Sequence, residues 1–153
     1  MIVVSDTSPL TALLTIGRAE LLHLLFGQVI IPPAVAAELL HAHPVLPAWI
    51  EMLSPRHIPP AVIAAHLDLG ETQALALALE LHARTLLMAA RLGRRVAQSL
   101  GLLPTGVLGC LVLAKLDGHL AAVSPIIAAL QDRAGCWFDD ALITAILRAA
   151  GEG

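Results

Sequence analysis

Short β-branched runs alternate with leucine- and alanine-rich stretches along most of the chain. "IVVS" at 2–5 predicts a buried strand. "DTSPLTALLTIG" predicts a helix with Ser8 as N-cap and Pro9 at the first helical position, closed by Gly17. "AELLHLLFG" predicts a second helix stopped at Gly27. "VII" at 29–31 predicts a second strand, broken by Pro32 and Pro33. "AVAAELLHAH" predicts a third helix, ended by Pro44. Prolines 44, 47, 55, 59 and 60 make the next stretch irregular, with a short strand near Trp49–Met52. "PAVIAAHLDLG" reads as a helix. The leucines of "ETQALALALELHA" alternate as in a strand, but Ala, Glu and Gln are poor strand residues. The segment therefore reads as a helix introduced by Gly70, apolar on nearly all sides and buried at the centre. "RTLLM" is a strand, "RLGRRVAQSLG" a helix, "LPTG" a short strand or turn, and "VLGCLVLAKLDG" a helix. Two more helices are predicted near 122–134 and 140–150.

Strands alternating with helices imply an α/β fold with a parallel sheet covered on both faces. In such folds ligands bind beyond the carboxyl ends of the strands. The 153 residues fit one domain, 1–153. Hydrophobic residues reach 58% against 14% charged, enough for a full core with apolar surface left for a subunit interface. The net charge of -3 excludes a globally basic surface, so nucleic-acid contact requires a local patch. Cys110 and Cys136 fit no zinc or redox spacing and read as free thiols in a reducing compartment. "MIVVSD" lacks the basic region of a signal peptide, and the longest apolar run, near 102–114, contains Pro104 and is too short to span a bilayer. The expectation is a cytoplasmic protein without a membrane segment.

Five acids fall where the strand-edge rule directs attention. Asp6 directly follows the first strand, with Ser5, Thr7 and Ser8 around it to orient its carboxylate or simply to satisfy a turn. Glu38 lies on the helix after the second strand, where a solvated helix face is the ordinary role. Glu71 sits in the first turn of the central helix, favoured there by the helix dipole or aimed into a site. Asp139 and Asp140 open the last helix; one serves as N-cap, and Asp140 is the candidate to face the cleft. Convergent carboxylates hold hard divalent cations, and a pair of such ions roughly 3.5–4 Å apart can hydrolyse a phosphodiester. His41 and His43 are two apart on a helix and do not share a face, which argues against a metal role. Arg91, Arg94 and Arg95 share one helical face near the sheet edge, either solvated or facing a phosphate backbone. Lys115 reads as a helix-terminal charge.

The stretches "IVVSDTSPLTALLTIGRAELLHLLFGQVIIPPAVAAEL", "LDLGETQALALALEL" and "LLMAARLGRRVAQSLGLLPTGVLGCLVLAKLDG" resemble PIN-domain proteins, specifically the branch similar to VapC-type toxin nucleases. The combination of "SDTSPL", "IPPAV" and "EL" carries the resemblance, which runs to about residue 150. It implies a three-layer α/β/α PIN-like fold around a central parallel sheet. It also implies Mg²⁺- or Mn²⁺-dependent cleavage of RNA, a homodimer, and neutralisation by a cognate antitoxin protein. Asp6, Glu38 and Glu71 match the family's catalytic acids, with Asp6, Glu71 and Asp140 expected to hold metal and Arg91, Arg94 and Arg95 to bind RNA.

One position departs from the pattern. Where the family has an Asp-Asp pair after the strand that "RTLLM" resembles, this chain has Ala89-Ala90. Methyl groups coordinate no cation, so weakened metal binding and a rate loss on the order of 10²–10⁴ are expected. The competing reading is a non-catalytic module that binds RNA or an antitoxin partner. A phosphoacceptor receiver domain ranks last, because it needs a lysine on a late strand and Lys115 reads as helical.

Overall fold

The computed structural model describes residues 1–153. Its spine is β1 (Val3–Ser5), whose residues are all buried. β1 pairs in parallel with β2 (Val29–Ile31) on one side and β4 (Thr85–Leu87) on the other. The edges are β3 (Ile50–Met52) beside β2 and β5 (Pro104–Thr105) beside β4, giving the all-parallel order β3-β2-β1-β4-β5. The chain first winds outward from β1 through β2 to β3. It then crosses to the opposite side for β4 and β5, so the switch point lies between β1 and β4.

The register separates the two faces. Val3 pairs with Thr85, Val4 with Leu86 and Ser5 with Leu87. Val3, Val29, Ile31 and Leu87 join the larger apolar cluster, while Val4, Leu86 and Met88 join the smaller one. Because side chains alternate across a strand, each short β-branched run supplies both cores at once. The larger core holds the buried faces of α1 (Thr7–Thr15), α2 (Glu20–Phe26), α3 (Pro33–Ala42), α7 (Val107–Leu116) and α8 (Ser124–Arg133). The smaller one is built from α4 (Pro60–Ile63), α5 (Leu69–Glu80) and α6 (Arg91–Ser99). α9 (Asp140–Ala149) packs on α7 and fully buries none of its own residues. This is the expected α/β/α layering. No helix is long and apolar enough to cross a membrane.

The predicted helices need three corrections. α1 begins at Thr7, so Asp6 rather than Ser8 is the N-cap residue, and Pro9 falls in the third helical position. A proline is tolerated there because the first-turn amides have no intrahelical partner in any case. The helix expected over "PAVIAAHLDLG" stops at Ile63, and His66 takes a left-handed φ of 53°. The chain turns there because Asp68 is committed to capping the next helix: its Oδ1 accepts the Glu71 amide at 2.8 Å. α5 accordingly starts at Leu69, one residue before Gly70. Its apolar character is as expected, since Ala74–Ala78 are all buried.

Lys115, at the end of α7, bridges to Glu152 at 2.9 Å. The Glu152 carboxylate also accepts the Val123 and Ser124 amides at the start of α8. These donors, the Val123 amide foremost, hold its pKa down to about 2. The bond ties the segment after α9 to both α7 and α8.

Leu75 is fully buried in the smaller core, under the β1–β4 half of the sheet. Truncating it removes transfer free energy and leaves a cavity, so Leu75→Ala is expected to lower unfolding free energy by about 2–5 kcal/mol in urea denaturation.

A candidate acidic site at the carboxyl edge of the sheet

The amide of Asp6 donates to Leu87 O at 2.8 Å, one residue beyond the last β1–β4 ladder pair. That bond fixes Asp6 at the switch point. The residue is 6% exposed, one of only two buried polar or charged residues in the chain. Although Asp6 occupies the N-cap position of α1, its side chain makes no capping bond. It turns instead toward α5. The hydroxyls around it have separate tasks. Ser5 Oγ donates to the Asp6 carbonyl at 2.8 Å, and Thr7 Oγ1 donates to Glu38 Oε2 at 2.7 Å. Thr7 thus holds a carboxylate, though Glu38's rather than that of its neighbour Asp6.

Glu38 reaches the site because α3 is held against α5. Gln73 Oε1 on α5 accepts the Ala34 amide in the first turn of α3 at 2.9 Å. Where the two helices meet, α5 presents Gly70. A Cβ there would lie 3.0 Å from Glu38 Oε1, 3.4 Å from Asp6 Oδ1 and 3.6 Å from Asp68 Oδ1. Gly70 lies within the α5 helix and not at a left-handed position. Its value is the room it leaves, since glycine inside a helix costs roughly 0.5–1 kcal/mol relative to alanine. Three carboxylate oxygens from three segments therefore border one small space.

Glu71 follows on the same turn, half-buried. Its carboxyl carbon is 3.7 Å from where a Cβ on Gly93 of α6 would stand. The tighter approach at Gly93 is by Met88, whose sulfur would stand 2.6 Å from that Cβ, so the glycine makes room for the Met88 side chain.

The acids charge one another. Burial first, then the charges of Asp68 and Glu38, raise Asp6 to about 6 against the lowering effect of the Thr7 amide. Burial first, then Asp68, Asp6 and Glu38, raise Glu71 to about 7. Asp68 is the strongest neighbouring charge on both. Asp140 does not belong to this group: it is exposed, and neither Asp6 nor Glu71 feels it. Asp139 is the N-cap of α9, accepting the Ala141 amide at 3.4 Å. Asp68 is the acid that sequence reasoning missed. Its signal was the D-x-x-E spacing of Asp68 and Glu71, which is that of a helix N-cap and its N3 partner.

Ala89 and Ala90 follow β4 directly. Ala89 is exposed and lines a cleft of about 370 Å³ with Arg91, Arg94, Arg95, Gln98 and Leu142. The three arginines do share one face, as their spacing predicted. None is in a salt bridge, since the only two in the chain are Arg18–Glu20 and Lys115–Glu152. Ala90 is the N-cap of α6, with no side chain to satisfy the first-turn amides. Methyl groups at this corner add no negative charge to the clustered acids, but at Ala90 they also leave α6 without a side-chain cap. His43 is used structurally, its Nε2 lying 2.8 Å from Thr11 Oγ1. A second cleft, lined by Arg56, His57, Pro59, Ala76, Leu79 and Glu80, lies farther along α5 and holds none of these acids.

A five-stranded parallel sheet with carboxylates gathered at its switch point defines a nuclease-like α/β/α module. Residues 2–152 match the family model DUF3368, described as a PIN domain, and the chain belongs to that family. PIN domains are generally dependent on divalent metal and commonly bind RNA or partner proteins. No curated protein and no solved structure matches the chain.

Two outcomes follow from this geometry. Asp6 and Glu71 hold their protons more tightly folded than unfolded, where their ordinary values are 3.8 and 4.5. The folded state is then the more protonated one between about pH 4 and 7, so stability in chelator falls as pH rises through that window. Asp6 accounts for roughly 2–3 kcal/mol of the change, and Glu71, more exposed and screened, for less. Urea melts at pH 5 and pH 8 should show the difference in the native chain, and it should shrink in Asp6→Asn. Separately, Ala90→Ser supplies the missing cap and is expected to raise stability by about 1 kcal/mol in the same assay.

Proposed function

We propose that this chain is a metal-dependent endoribonuclease of the toxin–antitoxin type, with its catalysis impaired at Ala89 and Ala90. The observation that carries the reading is the convergence of Asp6 and Glu38 on the space left by Gly70, with Glu71 on the adjoining turn. All the donors are carboxylate oxygens, the chemistry that suits Mg²⁺ or Mn²⁺. As the side chains stand, no three His, Cys, Asp or Glu residues close into a metal cage, so a cation would draw them in by side-chain rotation. Asp6, Glu38 and Glu71 would hold it. Bound there, it would supply charge to activate water and steady the leaving oxygen. Asp6 sits deepest and Thr7 steadies Glu38, so these two set the position, while Arg91, Arg94 and Arg95 face the phosphates of an RNA strand. A homodimer and a cognate antitoxin are the expected partners; exposed apolar side chains such as Leu116 and Trp137, 67% and 83% accessible, offer surface for such contacts.

The second reading, a non-catalytic module that binds RNA or an antitoxin, is favoured by the arginine cleft. Three unpaired cations beside an alanine corner are suited to a polyanion whether or not it is cut.

The experiment that separates the readings restores the acids. In Ala89→Asp/Ala90→Asp, Mn²⁺-dependent cleavage of single-stranded RNA is expected to rise by on the order of 10²–10⁴ over the native chain. Continued inactivity, with salt-sensitive RNA binding retained in both proteins, would sink the nuclease reading and leave the binding module.

A further inference from the structure

We propose that the cleft between α6 and the start of α9 is a nucleotide subsite separate from the acidic site, where the arginines hold an RNA phosphate and Gln98 reads the adjoining base. The inference deepens the RNA-binding reading above, on which it rests and which the nuclease and the binding module share.

Position on α6 sets the two sites apart. Gly93 and Ala97 form the buried face of the helix, and Gly93 is the residue that lies near Glu71. Arg91, Arg94, Arg95 and Gln98 recur at helical intervals, so they make one stripe on the opposite face, along the cleft. From Arg91 to Gln98 the stripe rises two turns, about 10 Å. The body of the helix stands between the stripe and Glu71. A phosphate gripped by the arginines is therefore a neighbour of one held at the acids, not the same phosphate.

The arginines sit where they destabilise their own helix. Like charges three and four apart repel. Arg91 occupies the first helical position, where positive charge opposes the helix dipole, and no acid stands in the first turn to offset it. No salt bridge balances any of the three. Arg94 is nonetheless held in place. Its Nη1 is 3.0 Å from where a Cβ on Gly106 would lie, so the glycine between β5 and α7 leaves room for the guanidinium. Unbalanced cations along one wall of a cleft of about 370 Å³ suit an anion from outside the chain.

The rest of the cleft is not made for phosphate. Leu142, 46% exposed, offers an apolar wall from α9 against which a base can lie flat. Gln98 stands exposed at the far end of the stripe. Its amide presents a donor beside an acceptor, which matches the edge of adenine. A carboxylate offers acceptors alone, so an acidic peptide would satisfy the arginines and leave the amide acceptor unmatched. Phosphate, base face and base edge are offered together by an unpaired nucleotide, whose base is free of a duplex stack.

The test is fluorescence anisotropy of short, end-labelled single strands of adenine, cytosine or uracil ribonucleotides and of an abasic strand, with the full-length chain in chelator. The native chain is expected to bind without metal and to prefer the adenine strand by at least about fivefold. Gln98→Ala should level the strands to within about twofold; alanine suits an exposed helix position, and melting temperature checks the fold. Arg94→Ala should weaken every strand alike, the abasic one included, and reduce the slope of log affinity against log salt by about one. Leu142→Ala should weaken the base-bearing strands and spare the abasic one.

Equal affinity of the native chain for abasic and adenine strands would overturn the inference and leave the arginines as a plain phosphate surface, with the RNA reading intact. Adenine preference that survives in Gln98→Ala would do the same, as would RNA binding that requires Mn²⁺. Absence of RNA binding with and without metal, alongside Arg94-dependent binding of a polyglutamate peptide, would overturn both the inference and the reading beneath it.

Discussion

A carboxylate buried at the end of a strand bonded on both sides is the constraint on which the rest of this structure turns. β1 cannot shift, because parallel ladders to β2 and β4 hold it along both edges. The next residue is pinned in turn by its amide bond to Leu87. Asp6 therefore has one place to be, and it is a poor place for a charge. The features around it read as responses to that. Gly70 leaves space, Thr7 draws Glu38 to one side, and burial with mutual repulsion lifts the proton affinity of Asp6 and Glu71 toward neutrality. Crowding carboxylates in this way costs stability, a common arrangement where function and packing compete.

The alanine corner changes the balance on one side of that site. Beside it, three arginines carry no internal counter-charge, and α6 begins without a side-chain cap. Two acids at positions 89 and 90 would act on both: charge for the guanidinium groups and an acceptor for the α6 amides. With methyl groups there, the guanidinium groups keep their charge unbalanced and the α6 amides lack that acceptor. The corner is best understood as a shift in local charge, from acidic toward basic, on a scaffold that is otherwise intact.

Most of the fold was legible in the chain before any coordinates, and the misses have specific causes. Every strand was placed within a residue or two; for β1, β2 and β4 this is because burial on both faces leaves short apolar runs, whereas the half-exposed edges β3 and β5 were marked mainly by the prolines and turns around them. The order of strands with helices between them pointed to a parallel sheet and to its carboxyl edge. The helix after Pro60 was drawn too long because nothing local separates "VIAAHLD" from a continuing helix; the competing cap at Asp68 decides it. Asp140 was chosen for the cleft on position alone, and Asp68 was overlooked because it fell inside the helix expected over "PAVIAAHLDLG", which hid its cap of α5.

The sequence alone determined the class of fold, the position of Asp6 at a strand end, the amphipathic arginine face and the departure at Ala89-Ala90. These are properties of period, propensity and residue identity, which are local. Only the tertiary structure decided which acids meet. Glu38, Asp68 and Asp6 belong to three separate segments, and what brings their oxygens together is the approach of α3 and α5 over the end of β1, with Gly70 at the contact. That approach depends on packing between residues far apart in the chain, and no window of sequence contains it.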